Sequence, residues 1–288
     1  MRGSSIRKIT VFIVAILFVL LSYVLWSGMK SFSETRIIFF DVGQGDAIFI
    51  SQGSNQVLID GGRSGQVILE RLGQYMPMWD RTLEMVVATH PDEDHIGGLI
   101  DVMKHYHVGT LVKTNVENKT GAYFALVEYA RKSDVLVVDA YSGLKVRFSD
   151  GSELFTMHPF TTLPQADVKD TNATSIVMKL TVKEESFLFT GDLPSTEEIK
   201  MNIGHIDVLK VGHHGSKSSS SDEFLKNLTS KQAIISVGKE NRYGHPAPDV
   251  LNRLRNNHIE IFRTDELGSI VYHCLNEGNQ KCFMTFDR

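Results

Sequence analysis

Apolar residues along this chain follow two spacings, with one exception at the start. From residue 36 onward they come in short runs bounded by glycine, asparagine and aspartate, which is the length and punctuation of strands. Residues 36–42 (RIIFFDV), 46–53 (DAIFISQG) and 55–62 (NQVLIDGG) read as three strands joined by Gly-rich turns. Residues 65–76 (GQVILERLGQYM) change to helix-like spacing, and 84–90 (EMVVATH) return to a strand. Leu99, Val102, Met103 and Tyr106 then share one face of a predicted helix. Further on, LKVRF and ELFTM flank SDGS as a hairpin. SIVMKLTV, SFLFTGD, HIDVLKVG and AIISVG are strands, APDVLNRLRNN is a helix, and IEIFRT and GSIVYHC are closing strands. Ser220, with Glu223 three residues on, has the pattern of a capping box before EFLKNL. Strands in runs with interspersed helices predict one α/β domain over 34–288, built as a sandwich of two sheets covered by helices.

The exception is residues 9–26, Ile9 to Trp26, an uncharged and almost wholly apolar run preceded by Arg2, Arg7 and Lys8. About 20 apolar residues span a hydrocarbon core, and Tyr23 and Trp26 suit its interface. Residues 1–30 are therefore expected to form a membrane anchor, with the N-terminus inside and the rest of the chain outside. A cleaved signal segment followed by secretion is the alternative.

Setting residues 1–30 aside leaves 26 basic and 34 acidic residues, a formal charge of −8. Bulk charge therefore does not hold this protein on nucleic acid, although bound cations and a local basic rim could do so. The two cysteines, Cys274 and Cys282, flank a Gly/Asn-rich turn between two strands, so a cross-hairpin disulfide is expected, in keeping with a non-cytoplasmic location.

Candidate chemistry concentrates in residues 89–98, THPDEDHIGG. Two histidines and three carboxylates crowd into six positions, although unpaired charges resist burial. His90, Asp92, Asp94 and His95 lie between a strand and a helix. Asp192 ends the strand of TGD, His213 and His214 end that of KVGHHGS, and His245 lies in YGHPAP. Imidazoles and carboxylates gathered at strand ends are metal ligands in waiting. Asp60 reads as a structural acid positioning a ligand or the loop. Asp41 and Asp46 have mixed roles, and Gly43 and Gly45 permit a turn against the metal loop. His158 reads as structural. Lys217 and Arg242 flank ligand histidines and are candidates for meeting substrate.

Together FFDVGQGDAIFI, LIDGG, THPDEDHIGGL, TNATSIVMKL, FLFTGDL, DVLKVGHHGSKSSSS, GHPAPDVLNRL and RTDELGSI resemble the metallo-β-lactamase superfamily, in its order and over most of residues 37–272. Within it, the chain looks most like the extracellular hydrolase domain of ComEC-type DNA-uptake proteins. The resemblance implies an αβ/βα sandwich with two mixed sheets. It implies one ion held by His90, Asp92 and either His213 or His214, a second held by Asp94, His95 and His245, and Asp192 bridging them. The chain departs from the usual pattern in that Asp92 replaces a histidine and Asn172 stands where a further histidine is expected. More oxygen ligands shift preference toward manganese, with zinc still possible.

The reading that follows is a metal-dependent phosphodiesterase or nuclease, using water activated by two divalent ions, zinc or manganese. Asp94 would orient that water, whichever of His213 and His214 is not a ligand (His214 the first choice) would face the phosphate, and Lys217, Arg242 and Asn172 would contact substrate. Its expected partners are a phosphodiester substrate, DNA first, and the membrane through the N-terminal helix, with no protein partner. The alternatives are a teichoic-acid or phosphorylcholine esterase and a non-catalytic metal-binding scaffold. With a single apolar span the chain is not itself a DNA channel.

Overall fold

The computed structural model describes residues 2–32, 34–161, 168–275 and 281–287, with side chains in the first helix described for 7–23. Helix α1 (Arg2–Phe32) precedes the first strand. The elements then run β1 (Glu34–Phe39), β2 (Ile48–Gln52), β3 (Asn55–Ile59), α2 (Gly65–Tyr75), β4 (Thr82–Ala88), α3 (Glu93–Ile96), α4 (Leu99–His105), β5 (His107–Lys113), α5 (Gly121–Lys132) and β6 (Leu136–Asp139). A second series follows as β7 (Lys145–Arg147), β8 (Glu153–His158), β9 (Val177–Val182), β10 (Glu185–Phe189), α6 (Ser195–Glu198), β11 (Val208–Lys210), α7 (Asp222–Leu228), β12 (Gln232–Ile235), α8 (Pro248–Asn256) and β13 (Glu260–Arg263). Helix α9 (Thr264–Leu267) then returns the chain to the first sheet through β14 (Ser269–Leu275) and β15 (Phe283–Asp287).

One sheet has the order β15-β14-β1-β2-β3-β4-β5-β6, and the other β13-β12-β11-β10-β9-β8-β7. Both are mixed. β3 to β6 run parallel, as do β10 to β13, while the remaining pairs are antiparallel. The period-two alternation of strand side chains explains the layers. Ile37 and Phe39 of β1 face Met178, Leu180, Phe187 and Phe189 between the sheets. Ile38 and Phe40 face the other way, onto Ile68 and Leu72 of α2 and Leu99 and Val102 of α4. Beyond the second sheet, Leu188 and Leu209 pack on Phe224 and Leu228 of α7 and Val250 and Leu254 of α8. Because both faces are covered, strands such as Ile48–Gln52 are buried at every position and read as continuous apolar runs.

Residues 107–139, to which the sequence pattern assigns no element, hold β5, α5 and β6. Gly109 interrupts β5, whose burial alternates irregularly, and β6 is an edge strand with Leu136 and Val137 exposed, so neither shows a buried-strand pattern. The cap of α7 is also shifted by one residue. Ser221, not Ser220, accepts the Phe224 backbone N–H, while Ser220 takes a left-handed φ of 52° and turns its own N–H toward Glu198.

The apolar side chains of α1 from Ile9 to Tyr23 are largely exposed. Among the described residues no helix is long and apolar enough to cross a membrane. The expected span of residues 9–26 extends past Tyr23 into side chains outside the described residues. Cys274 and Cys282 are disulfide-bonded, and residues 276–280 between them, expected as a turn, lie outside the described residues.

The bond ties β14 to β15 at a sequence separation of 8. Replacing both cysteines by alanine is expected to lower unfolding stability by about 2–3 kcal/mol, read from urea midpoints at equal slope, because closing a short loop restricts the unfolded chain.

Candidate metal centre

Parallel strands bring their C-terminal ends to one rim of each sheet, and the two rims meet there. β3 ends one residue before Asp60, β4 two before His90, β10 three before Asp192 and β11 three before His213. Asp92 caps the one-turn helix α3, which turns His95 back toward the rim. The turn from Gly43 to Asp46 is laid over this loop. A Cβ on Gly45, at φ 129°, would sit 2.1 Å from the Asp94 carbonyl oxygen, so only glycine fits this approach. Backbone bonds from Asp46 to Asp94 and from Gly61 to His95 lace the segments together.

Outer partners fix the three buried imidazoles. Thr89 Oγ1 donates to Asp60 (2.7 Å), so toward His90 Nδ1, at 3.1 Å, it can only accept. His95 Nδ1 donates to Asp60 Oδ2 at 2.8 Å, and His214 Nδ1 to the Ser236 carbonyl at 3.0 Å. All three rings therefore carry hydrogen on Nδ1 and aim Nε2 inward. Each Nε2 is buried without a hydrogen-bond partner, as is Asp192 Oδ1. His95 Nε2 lies 3.3 Å from Asp192 Oδ1, and His214 Nε2 lies 3.5 Å from both Asp94 and Asp192. Buried polar atoms left unpartnered and converging are costly without a cation, so the donor set fits one.

Four overlapping groups of candidate ligands converge among the described residues. Two, His90, His95 and Asp192, and Asp94, His95 and His214, share His95, and the other two bring in Asp46, with Asp60 and His95 or with Asp192 and His214. The sequence pairs Asp94 and His95 with His245, but in the structure His214 takes that place. His213 and His214 both adopt left-handed backbone, at φ 49° and 53°, and this turn separates their roles. The His214 side chain is 1% exposed, while that of His213 is 29% exposed at the opening, with Nε2 3.6 Å from Asp192. His245 is one ring farther out, its centroid 5.7 Å from that of His213. Asp92 Oδ2 is 3.9 Å from His90 Nε2, and its other oxygen accepts from Thr171 at 2.6 Å. Asn172 Nδ2 lies 3.3 Å from His213 Nδ1, with Oδ1 buried and unpartnered. Lys217 and Arg242 are exposed on the surrounding loops, Lys217 3.5 Å from Asp249. His158 Nδ1 donates to the Ser175 carbonyl at 2.8 Å.

Sequence reasoning underrates Asp46 and misses Lys210. Lys210 is fully buried, with Nζ 2.7 Å from Asp46 Oδ2, and Asp46 Oδ1 lies 3.2 Å from His214 Nδ1. The signal was present, since a lysine inside an apolar strand needs an acid partner. Burial alone would raise the Asp46 carboxyl, but Lys210 and His214 hold it below the usual range. Burial likewise opposes charge on His214, and Asp192 and Asp46 overcome it, raising the ring to about 9. Burial and His95 push His90 down. Without a cation, His95 and His214 are thus the rings that carry charge.

A further buried acid, Glu198, lies behind the histidine loop. Glu198 Oε2 accepts the Ser220 N–H at 2.7 Å, and Oε1 has no partner. Burial pushes this carboxyl up to about 8.

Residues 40–239 match the metallo-beta-lactamase superfamily. The chain is 33% identical over 85% of its length to the ComE operon protein 3 of Bacillus subtilis, covering 34% of that protein. It is 29% identical over 80% of its length to Recombination protein 2 of Haemophilus influenzae, covering 28% of it. It thus spans about a third of the length of these curated relatives. Among solved structures, CmlA, a diiron β-hydroxylase from Streptomyces venezuelae, superposes with a TM-score of 0.54 at 14% identity, over 84% of this chain and 54% of that one. The chain belongs to the metallo-beta-lactamase superfamily, and it is related to competence proteins.

Asp46→Asn is expected to weaken metal binding about 10- to 100-fold, the usual effect of losing an outer partner, in metal titrations of a variant with unchanged circular dichroism. For Glu198 the raised folded pKa means that its contribution to stability is complete below about 4.5 and lost as pH rises through about 8. Glu198→Gln stays neutral, so its stability advantage over the parent should grow across that window, toward on the order of 4 kcal/mol. Urea unfolding at pH 5 and pH 9 checks this, and an unchanged difference would remove the assignment.

Proposed function

From this membership we propose that the protein is a metal-dependent hydrolase of phosphodiesters, with nucleic acid as its first substrate class, acting outside the cytoplasmic membrane and anchored by α1. One observation carries the reading of the site. Asp46, Asp60, Asp92, Asp94 and Asp192 gather around three buried imidazoles, with Lys210 as the buried ammonium among them. Five carboxylates and one ammonium leave four negative charges, which two divalent ions balance. Oxygen-rich coordination of this kind suits hard cations such as manganese, and zinc is compatible with the imidazoles. Bound there, divalent ions supply Lewis acidity toward a phosphoryl oxygen and make water a competent nucleophile near neutral pH.

The chain's own groups divide the remaining work. Asp192 stands between the two ligand groups, and His214 joins Asp94 and His95. Asp94 orients the attacking water. His213, more exposed and beside Asn172, faces the phosphate and is placed to hold or deliver a proton at the leaving oxygen. Lys217 and Arg242 meet flanking phosphates. The competence and recombination names of the relatives favour nucleic acid over a cell-wall phosphodiester. A choline headgroup would want an aromatic cage, and Tyr243, stacked on His245, provides one wall of it.

Loaded with manganese or zinc, the full chain should hydrolyse bis(p-nitrophenyl) phosphate and single-stranded or duplex DNA. Asp94→Ala and Asp192→Ala should lose more than the roughly 100-fold expected for an outer partner. Turnover of the small diester without DNA cleavage would move the substrate to the cell wall. Absence of turnover with ions bound would leave a binding scaffold instead.

A further inference from the structure

The chain enters the domain at the rim opposite the metal centre. α1 ends at Phe32 and β1 begins at Glu34, so at most one residue separates them. Register fixes what else lies at that rim. Thr35 pairs with Gln52, Gln52 pairs with Asn55 across the β2–β3 hairpin, and β4 runs parallel to β3. The start of β4, and the turn before it, therefore lie at the same end as the start of β1. That turn, Pro77 to Asp80, carries Met78 at 85% and Trp79 at 73% exposure, the two most exposed large apolar residues of the chain's described part.

The turn is held in place. Asp80 N–H bonds the Pro77 carbonyl, Asp80 Oδ1 accepts from the Thr82 N–H at 3.1 Å, and Asp80 Oδ2 accepts from Gln56 at 3.3 Å. Gln56 also donates to the Gly53 carbonyl, joining the turn to the uncharged hairpin tip. Three strand spacings separate β4 from β1, so Trp79 lies roughly 15 Å to one side of the point where α1 joins the sheet. On the other side, Phe283 opens β15, half exposed, opposite His273. Exposed apolar side chains thus flank α1 on both sides.

We propose that this rim is a membrane-contact face, with Met78 and Trp79 seated in the headgroup layer of the bilayer that α1 enters. The proposal rests on the anchoring stated above and adds the orientation of the domain. α1 continues about 9 Å past Trp26 before the first strand, close to the depth of one headgroup layer. Tryptophan suits that layer, since its large apolar body is covered while its indole N–H stays wet, and Met78 beside it adds apolar area. Strands of five to seven residues then lift the metal centre roughly 20 Å above the lipid, facing away from it. A substrate would reach the centre from bulk solvent and not along the membrane surface.

The sequence has two tryptophans, so Trp26→Phe leaves Trp79 as the only one. The full-length variant is reconstituted into phosphatidylcholine–phosphatidylglycerol vesicles, and tryptophan emission is followed with brominated phosphatidylcholine or with iodide. The expected result is that bromolipid cuts Trp79 emission at least about twofold while iodide quenches little, as for an interfacial tryptophan. If the chain floats with the vesicles but Trp79 stays open to iodide and blind to bromolipid, the contact face is wrong and the anchor stands. Shielding from both quenchers that grows with protein concentration would mean a second copy covers the turn, and would also overturn the proposal. A chain that does not float with vesicles overturns the anchor and the contact face together.

Discussion

Everything at the centre depends on carboxylates that never reach it. Asp60 accepts from the far ring nitrogen of His95, and Asp46 sits 3.2 Å from that of His214, whose hydrogen goes to the Ser236 carbonyl. These bonds choose the tautomer and the ring orientation, and so decide that the free lone pairs face one another. The remaining geometry follows from supporting those two acids. Asp60 is fixed by the Thr89 N–H and hydroxyl, and Asp46 by Lys210. The glycine turn laid over the metal loop keeps Asp46 within reach.

The fold provides the platform for this arrangement. Two mixed sheets, each with a parallel run, bring strand ends to one edge, where short loops carry ligands at the tips of rigid elements. The candidate ligands come from three strand ends, β4 for His90, Asp94 and His95, β10 for Asp192 and β11 for His214, and backbone bonds between loops lace them together. The strain of two successive left-handed histidines is accepted because it sends one ring inward and leaves its neighbour at the opening.

Much of this was legible in the chain because burial on both faces makes strands plain apolar runs. The strands leading to His90, Asp192 and His214 are of that kind, and each is followed within four residues by its candidate ligand. Residues 107–139 were not legible as elements, since an edge strand with exposed Leu136 and Val137 looks like a loop with stray apolar residues. The choice between His213 and His214 was also beyond the sequence. It is decided by two backbone dihedrals, which no spacing of residue types encodes. His245 looked equivalent to the other imidazoles because distance from the centre is a tertiary fact. Lys210 is readable in principle, as a cation amid Val208, Leu209 and Val211, although a lysine is not among the usual ligand types.

The Lys210–Asp46 pair has an evolutionary corollary. A buried ammonium stripped of its acid, or the acid stripped of its ammonium, leaves an uncompensated charge in the interior, a defect of several kcal/mol in general. Neither residue can drift alone, so the two should be inherited or discarded as a unit. A descendant whose candidate ligands decayed would still be burdened with both, and a buried lysine at the end of β11 would mark where its acid partner once had to be.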